Sequence, residues 1–371
     1  MATLDEIEPW VRLNRAELMP RKAARLLAEF GTPEAVLSAA RAELARVDGL
    51  SRANCDRLAE AALWDGWPAE QATLQRLGIR VIPLTSDDYP ARLRAIPDPP
   101  LVLYVRGSLL PEDEYAVAIV GSRRATPYGR QVAADLARGL ARAGVTIVSG
   151  MARGIDAAAH QGALNAGGRT LAILGCGVDQ CYPPEHRGLR DSIAAQGAVI
   201  SEFSLGAAPD KWRFPARNRI ISGLCLGVVL IEAPSDSGAM ITADFALEQG
   251  REVFAVPGNL DSFASRGCHQ LIKEGAHLIE SAADILDALA LSTAALEDAP
   301  PQQPSLPFPL SPEAEQVLAR LGPQQRHVDQ IAGECELAPG QVLSALTSWR
   351  WRALPVACQA TSTSASRPGD R

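Results

Sequence analysis

The chain has 371 residues, of which 47% are apolar and 21% charged, and its formal net charge is -7. That length allows two or three domains with a sizeable core. The acidic balance excludes a protein coated in cations, so any nucleic-acid site has to be a local patch. Lysine stands only at Lys22, Lys211 and Lys273, which makes the positive charge almost entirely arginine, a planar fork with a permanent charge.

Residues 1–75 predict a helical domain of the helix–hairpin–helix or SAM-like type. Its helices are expected at Arg21–Phe30, Thr32–Ala40 and Ser51–Ala62, with Thr32-Pro33 and Ser51 as start signals. Between the last two lies Val47-Asp48-Gly49-Leu50-Ser51. This is either a hairpin whose amides meet a phosphate or a glycine that only turns the chain. A connector follows over 76–107, with apolar runs at Ile79–Pro83 and Leu101–Val105. Pro90, Pro97, Pro99 and Pro100 lie between the runs and bar a continuous helix.

From 115 to 290 short apolar runs alternate with helical segments. Strands are expected at Ala116–Val120, Val145–Ser149, Thr170–Leu174, Ala198–Ser201, Val228–Ile231 and Val253–Val256. Their near lack of polar alternation predicts cover on both faces. Helices are expected at Gly129–Ala143, Ile155–Ala166 and Thr242–Gln249. The pattern is that of an α/β, doubly wound, mostly parallel sheet over residues 76–290, whose ligands lie at the carboxyl ends of the strands. Prolines 300, 301, 304, 307, 309 and 312 mark 291–312 as a linker. A small helical module over 313–352 is expected to use Pro312–Leu321, Val328–Cys335 and Pro339–Leu346. The Ser/Thr-rich residues 353–371 read as a disordered tail.

The seven cysteines include no Cys-x-x-Cys pair, and Cys176 and Cys181 flank a Gly-rich turn. They read as small core residues in a reducing compartment, with no metal expected. The chain shows no basic–apolar leader and no apolar run of membrane length. The expectation is a soluble, cytoplasmic protein with no membrane contact.

The unusual polar residues cluster at the strand ends. After the first strand come Gly121, Ser122 and Arg123, ahead of a helix start near Pro127. Unsatisfied amides at such a turn favour an anion, and arginine adds a phosphate-matching fork. The later ends carry Ser149-Gly-Met-Ala-Arg153-Gly, Leu174-Gly-Cys-Gly177, Ser201-Glu202, Glu232 with Ser237-Gly238 and Thr242, and Val256-Pro-Gly258. Asp156 and His160 are four apart on one helix face; they make either a catalytic or metal pair, or a helix-start carboxylate and a hydrogen-bonded core histidine. The densest positive segment is Lys211-Trp-Arg-Phe214-Pro-Ala-Arg217-Asn218-Arg219. Arginines that grip phosphates beside an aromatic stacking face are what single-stranded nucleic acid requires.

These blocks resemble the DprA/Smf family of bacterial DNA-processing proteins. The resemblance rests on Tyr89-Pro-Ala-Arg-Leu, Asp98-Pro-Pro-Leu-Val-Leu-Tyr104, Ile119-Val-Gly-Ser-Arg123, Val148 to His160, Gly168 to Gly177, Tyr182-Pro183, Phe214 to Leu224, Ser237 to Ala243 and Gly250 to Gly258. It spans about residues 80–285 in the family's order. It implies an extended Rossmann-like domain that binds single-stranded DNA without chemistry or cofactor. It also implies a homodimer that loads RecA onto the strand, often past single-strand-binding protein, to protect incoming DNA and promote recombination in natural transformation. DNA contacts are then expected at Gly121, Ser122, Arg123, Arg153, Lys211, Phe214, Arg217, Asn218, Arg219, Ser237, Gly238 and Thr242. Family members often end in a winged-helix module. Here the helices of one are expected, but Trp349-Arg-Trp-Arg352 and a Ser/Thr-rich end follow where a β-hairpin wing would stand.

Two enzyme readings compete. Phosphoribohydrolases of the LOG type use a similar sheet with a Pro-Gly-Gly-x-Gly-Thr-x-x-Glu segment. The equivalent here is Pro234 to Thr242, and Phe245 stands in the place of the glutamate. A dinucleotide oxidoreductase is disfavoured because Gly-x-Gly-x-x-Gly is missing after the first strand.

Overall fold

Strands β1 (Ile79–Pro83), β2 (Val102–Gly107), β3 (Ala116–Gly121), β4 (Thr146–Ser149), β5 (Thr170–Ile173), β6 (Ala198–Ser201), β7 (Gly227–Ile231), β8 (Glu252–Ala255) and β9 (His277–Leu278) form one sheet. Their order is β1-β2-β6-β5-β4-β3-β7-β8-β9. The structure is a computed structural model that describes residues 4–291, 316–317, 320, 328–335 and 337–344. The chain divides into two units, Met1–Asp298 and Ala299–Arg371.

The six strands expected from the apolar runs all form, each within a residue of the expected ends. β3 to β8 are parallel, as are β8 and β9. The connector, in contrast, is part of the sheet. β1 and β2 pair antiparallel, Ile79 facing Arg106, and β2 runs antiparallel to β6, Gly107 facing Ala198. The prolines are confined to the segment between these two strands, where they interrupt no ladder.

Helices cover both faces, as the lack of alternation requires. On one side Val117, Ile119, Ile147 and Val229 pack with Ala133, Leu136, Leu140 and Ala159. The last four belong to α8 (Pro127–Arg142) and α9 (Ile155–Asn165), numbered here after seven more N-terminal helices. On the other side Ala118, Val120, Val148 and Leu230 pack with Ile220, Ile221 and Ala243. These come from α11 (Arg213–Gly223) and α12 (Gly238–Glu248), which follow α10 (Arg187–Gln196). Successive residues of β3 thus enter opposite core layers, the period-two rule of a strand.

The N-terminal helices are α1 (Leu4–Arg15), α2 (Pro20–Phe30), α3 (Pro33–Ser38), α4 (Arg41–Leu44), α5 (Arg52–Leu63) and α6 (Trp67–Leu77), with the short α7 (Ala91–Arg94) in the connector. Thr32 and Ser51 act as the expected caps, accepting from Ala35 N at 3.2 Å and Asn54 N at 3.3 Å. In the Val47–Ser51 turn, Gly49 has φ +81°. Leu50 N donates to Val47 O, and Ser51 N donates to Asn54 Oδ1 at 3.1 Å. These amides are taken internally, which supports a turn that shapes the chain rather than one that meets a phosphate.

Two further helices end the first unit, α13 (Arg266–Lys273) and α14 (Ala282–Ala288). In the second unit α15 (Val328–Cys335) forms where expected, and 339–344 are helical. Val317, Ile331, Ala332 and Val342 make its core. The linker from 292, Trp349-Arg-Trp-Arg352 and the tail 353–371 lie outside the described residues. Among the described residues no helix is long and apolar enough to cross a membrane.

Candidate functional site

The parallel strands end along one rim, and β3 lies between β4 and β7 where the order of connections reverses. Gly121 ends β3 because nothing larger fits: a Cβ there would lie 1.9 Å from the Ile231 carbonyl oxygen. Ser122 N donates to Glu232 O at 2.8 Å, and Ser122 Oγ accepts from Arg124 N at 3.1 Å. This tight hook leaves Arg123 and Arg124 exposed.

The amides at the start of α8 behave differently from the sequence expectation. The Thr126 amide is met by a carboxylate of the chain itself, and the Gly129 amide donates to the Thr126 hydroxyl at 3.1 Å. Glu232 is 7% exposed. Its Oε2 accepts from Thr126 N at 2.8 Å, and its Oε1 accepts from the Thr126 hydroxyl. The turn therefore offers arginine heads to solvent, while its helix start is already neutralised.

The basic segment is helical from Arg213 onward, with Pro215 in the first turn, where proline is tolerated. α11 presents Phe214 to the rim. Arg123 lies over the Phe214 ring at 5.0 Å from Cζ to the centroid, and Tyr182 packs against it at 5.5 Å. Gly175 makes room for the ring, since a Cβ would stand 2.8 Å from Phe214 Cδ1. Arg123, Gly150, Ala152, Arg153, Tyr182, Pro183, Phe214 and Arg217 line one shallow cleft. The structure thus brings Arg123, Arg153 and Phe214 together. Tyr182 completes the cleft and was not among the expected contacts; its place in the Tyr182-Pro183 block was the available signal.

Other expected contacts turn inward. Arg217 is 4% exposed. Its guanidinium donates to Gly150 O at 2.9 Å, to Ile173 O and to Asn218 Oδ1. Burial lowers its pKa to about 10, opposed by the nearby Asp156 carboxylate. Arg219 forks onto Glu202 with two 2.6 Å bonds and reaches Asp98 at 3.3 Å. Asn218 donates to Gly238 O at 3.1 Å, and Thr242 is buried. Arg217, Asn218 and Arg219 hold the rim from beneath, because acids and carbonyls distant in sequence capture them, and Thr242 lies buried below it. Arg153 is exposed and paired with Glu185 at 2.5 Å. Lys211 and Gly238 are exposed, and Ser237 starts α12 with a buried hydroxyl.

Asp156 and His160 resolve to the structural alternative. Asp156 Oδ2 accepts from Gly150 N and Ala152 N, both at 3.2 Å. His160 is fully buried, with Nδ1 2.7 Å from Thr170 Oγ1, and burial pushes its pKa down to about 3. The rim as a whole offers permanent cations beside two aromatic rings in an open cleft. Such a surface suits a polyanion that carries planar groups.

A family model described as DNA recombination-mediator protein A matches residues 80–290, and one described as the DprA winged helix domain matches 299–348. The chain is 42% identical over 268 residues to protein Smf of Escherichia coli, covering 70% of each. It is 44% identical over 223 residues to the DNA processing protein DprA of Bacillus subtilis, covering 60% of this chain and 75% of that one. Among solved structures, DprA from Streptococcus pneumoniae aligns with a TM-score of 0.65 at 35% identity, over 77% of this chain and 98% of that one. DNA processing protein A from Helicobacter pylori, a structure reported for its single-stranded DNA binding mode, aligns with a TM-score of 0.52 at 32% identity, over 57% and 95%.

Proposed function

The chain belongs to the DprA/Smf family of proteins of DNA processing and recombination, and from that premise we propose that it holds single-stranded DNA in the Arg123–Phe214 cleft without catalysing a reaction. Arg123, Arg153 and Lys211 meet phosphates, with the Gly121-Ser122 hook and the Ser237-Gly238 start of α12 along the same rim. A base stacks on Phe214, with Tyr182 beside it. Arg217, Asn218, Arg219 and Thr242 serve the site as its foundation. The observation that carries this reading is the placement of Arg123 at 5.0 Å over the Phe214 ring in an open cleft of an otherwise acidic chain. The reported strand binding of the Helicobacter pylori relative supports it. The commitment of Asp156 and His160 to internal hydrogen bonds supports a binding rather than a catalytic role.

On this reading the protein works in the cytoplasm, protects incoming strands and loads RecA onto them in the presence of single-strand-binding protein. It does so as a homodimer. The exposed apolar residues Leu260, Phe263 and Leu278, in the loop after β8 and on β9, offer a surface for self-association.

Fluorescence anisotropy with oligo-dT tests the site. Phe214→Ala removes a stack worth ~1–3 kcal/mol and is expected to weaken binding roughly 5- to 150-fold. Arg123→Ala is expected to lower the slope of log affinity against log salt by about 0.7, one phosphate's worth. Wild-type affinity in both variants, with unchanged melting, would remove the site.

A further inference from the structure

In doubly wound sheets, the helix start after the first parallel strand at the reversal of strand order is where a nucleotide's phosphate settles. In this chain that place belongs to α8, a 16-residue helix with no acidic residue in its own first turn. The charge comes from the neighbouring strand end instead. Glu232 follows β7 directly, and its carboxylate accepts from both the amide and the hydroxyl of the capping residue Thr126. Gly129, in the first turn, is pressed onto that carboxylate: a Cβ there would stand 2.3 Å from Glu232 Oε2. Glu232 holds this pose at φ +49°, a conformation that favours glycine. Its own carbonyl accepts from Ser122 N, so one residue fills the helix start and fixes the turn that carries Arg123.

We propose that Glu232 is a specificity-determining residue, a built-in anion that closes the nucleotide-phosphate position of the fold and confines anion binding to the exposed arginines of the rim. A phosphomonoester would have to displace a buried carboxylate with two hydrogen bonds. Phosphodiesters of a strand meet Arg123 and its neighbours without entering that position. The chain therefore selects a strand over a free nucleotide. This inference rests on the strand-binding reading for its consequence, and on the geometry of Glu232 alone for its mechanism.

The test is Glu232→Gly, which relieves the positive φ while emptying the position. Binding of 5′-dTMP and of inorganic phosphate is measured by calorimetry, and of oligo-dT by anisotropy. The wild type is expected to show no saturable dTMP binding up to 10 mM, on the order of the weakest affinities such a site would have. The variant is expected to bind dTMP at least tenfold more tightly than the wild type and to rise in melting temperature with added phosphate while the wild type does not. A folded variant with no gain overturns the proposal. Should the variant fail to fold, a dTMP titration of the wild type followed through the Thr126 and Gly129 amide resonances decides: unmoved signals support the closed position, and saturable movement overturns it. A wild type that ignores oligo-dT would defeat the strand-binding reading alone, because the gain of dTMP binding stands without it.

Discussion

Replacing Arg217 by methionine separates a residue that touches DNA from one that holds the cleft. The side chain lies 4% exposed between the ends of β4 and β5, giving hydrogen bonds to Gly150 O and Ile173 O, and it faces the buried Asp156. Removing the cation leaves Asp156, itself 6% exposed, with two 3.2 Å amide bonds and no counter-charge. The Gly150 and Ile173 carbonyls lose their donor at ~1–3 kcal/mol each, and the loss of the nearby cation from Asp156 adds to that cost. At about 2–4 °C per kcal/mol for a domain of this class, the melting temperature should fall on the order of 10 °C. The salt slope of oligo-dT binding, measured below the transition, should stay at the wild-type value, because the slope counts phosphates met by exposed cations. Adding Asp156→Asn should recover part of the loss, with a coupling of ~0.5–3 kcal/mol between the two positions. A variant that melts like the wild type yet loses about 0.7 from the salt slope would refute this reasoning and place Arg217 on a phosphate.

Two more outcomes follow from buried groups near the rim. His160 titrates near 3 when folded and near 6.5 when unfolded, so the unfolded chain takes up a proton first as pH falls. Stability should therefore drop below pH 6.5, by about 2 kcal/mol at pH 5, with the full loss reached below 3. Urea unfolding at pH 7.5 and pH 5 measures it, and His160→Gln should flatten the difference; an equal pH response in that variant would exclude His160 as the source. Gly175→Ala puts a methyl 2.8 Å from Phe214 Cδ1 and so must tilt the ring. Oligo-dT affinity should fall several-fold with an unchanged salt slope, and a wild-type affinity would show that the ring's pose does not matter.

Much of the fold could be read from the chain because β3 to β8 are buried on both faces, and such strands declare themselves as short apolar runs between glycine-marked turns. β1 and β2 were harder to read. Arg80 and Arg106 interrupt them, and the prolines between them suggested a connector. The basic segment carries no clear helix signal, because four cations crowd it. Groups far away in sequence bury two of its cations: Asp98 and Glu202 take Arg219 out of solvent, and the Gly150 and Ile173 carbonyls take Arg217. Arg123 and Phe214 could be placed at one rim from the rule that ligands of such a sheet gather at the carboxyl ends of its strands. No local signal revealed that Glu232 would fill the start of α8, since a single acid after a strand reads as an ordinary strand end.

The front helices and the sheet share interior material: Trp10, Val11, Trp67 and Leu74 sit among Val102, Tyr104 and Val199. Glu17 grips Arg213 at 2.7 Å, and Asn14 donates to Glu202 O at 2.8 Å. A protease that nicks the exposed bend at Thr85 to Asp88 would sever the backbone without releasing a fragment. The two pieces would stay clasped through their common interior, and helix α11 would keep its footing against the first 77 residues after the covalent link had gone.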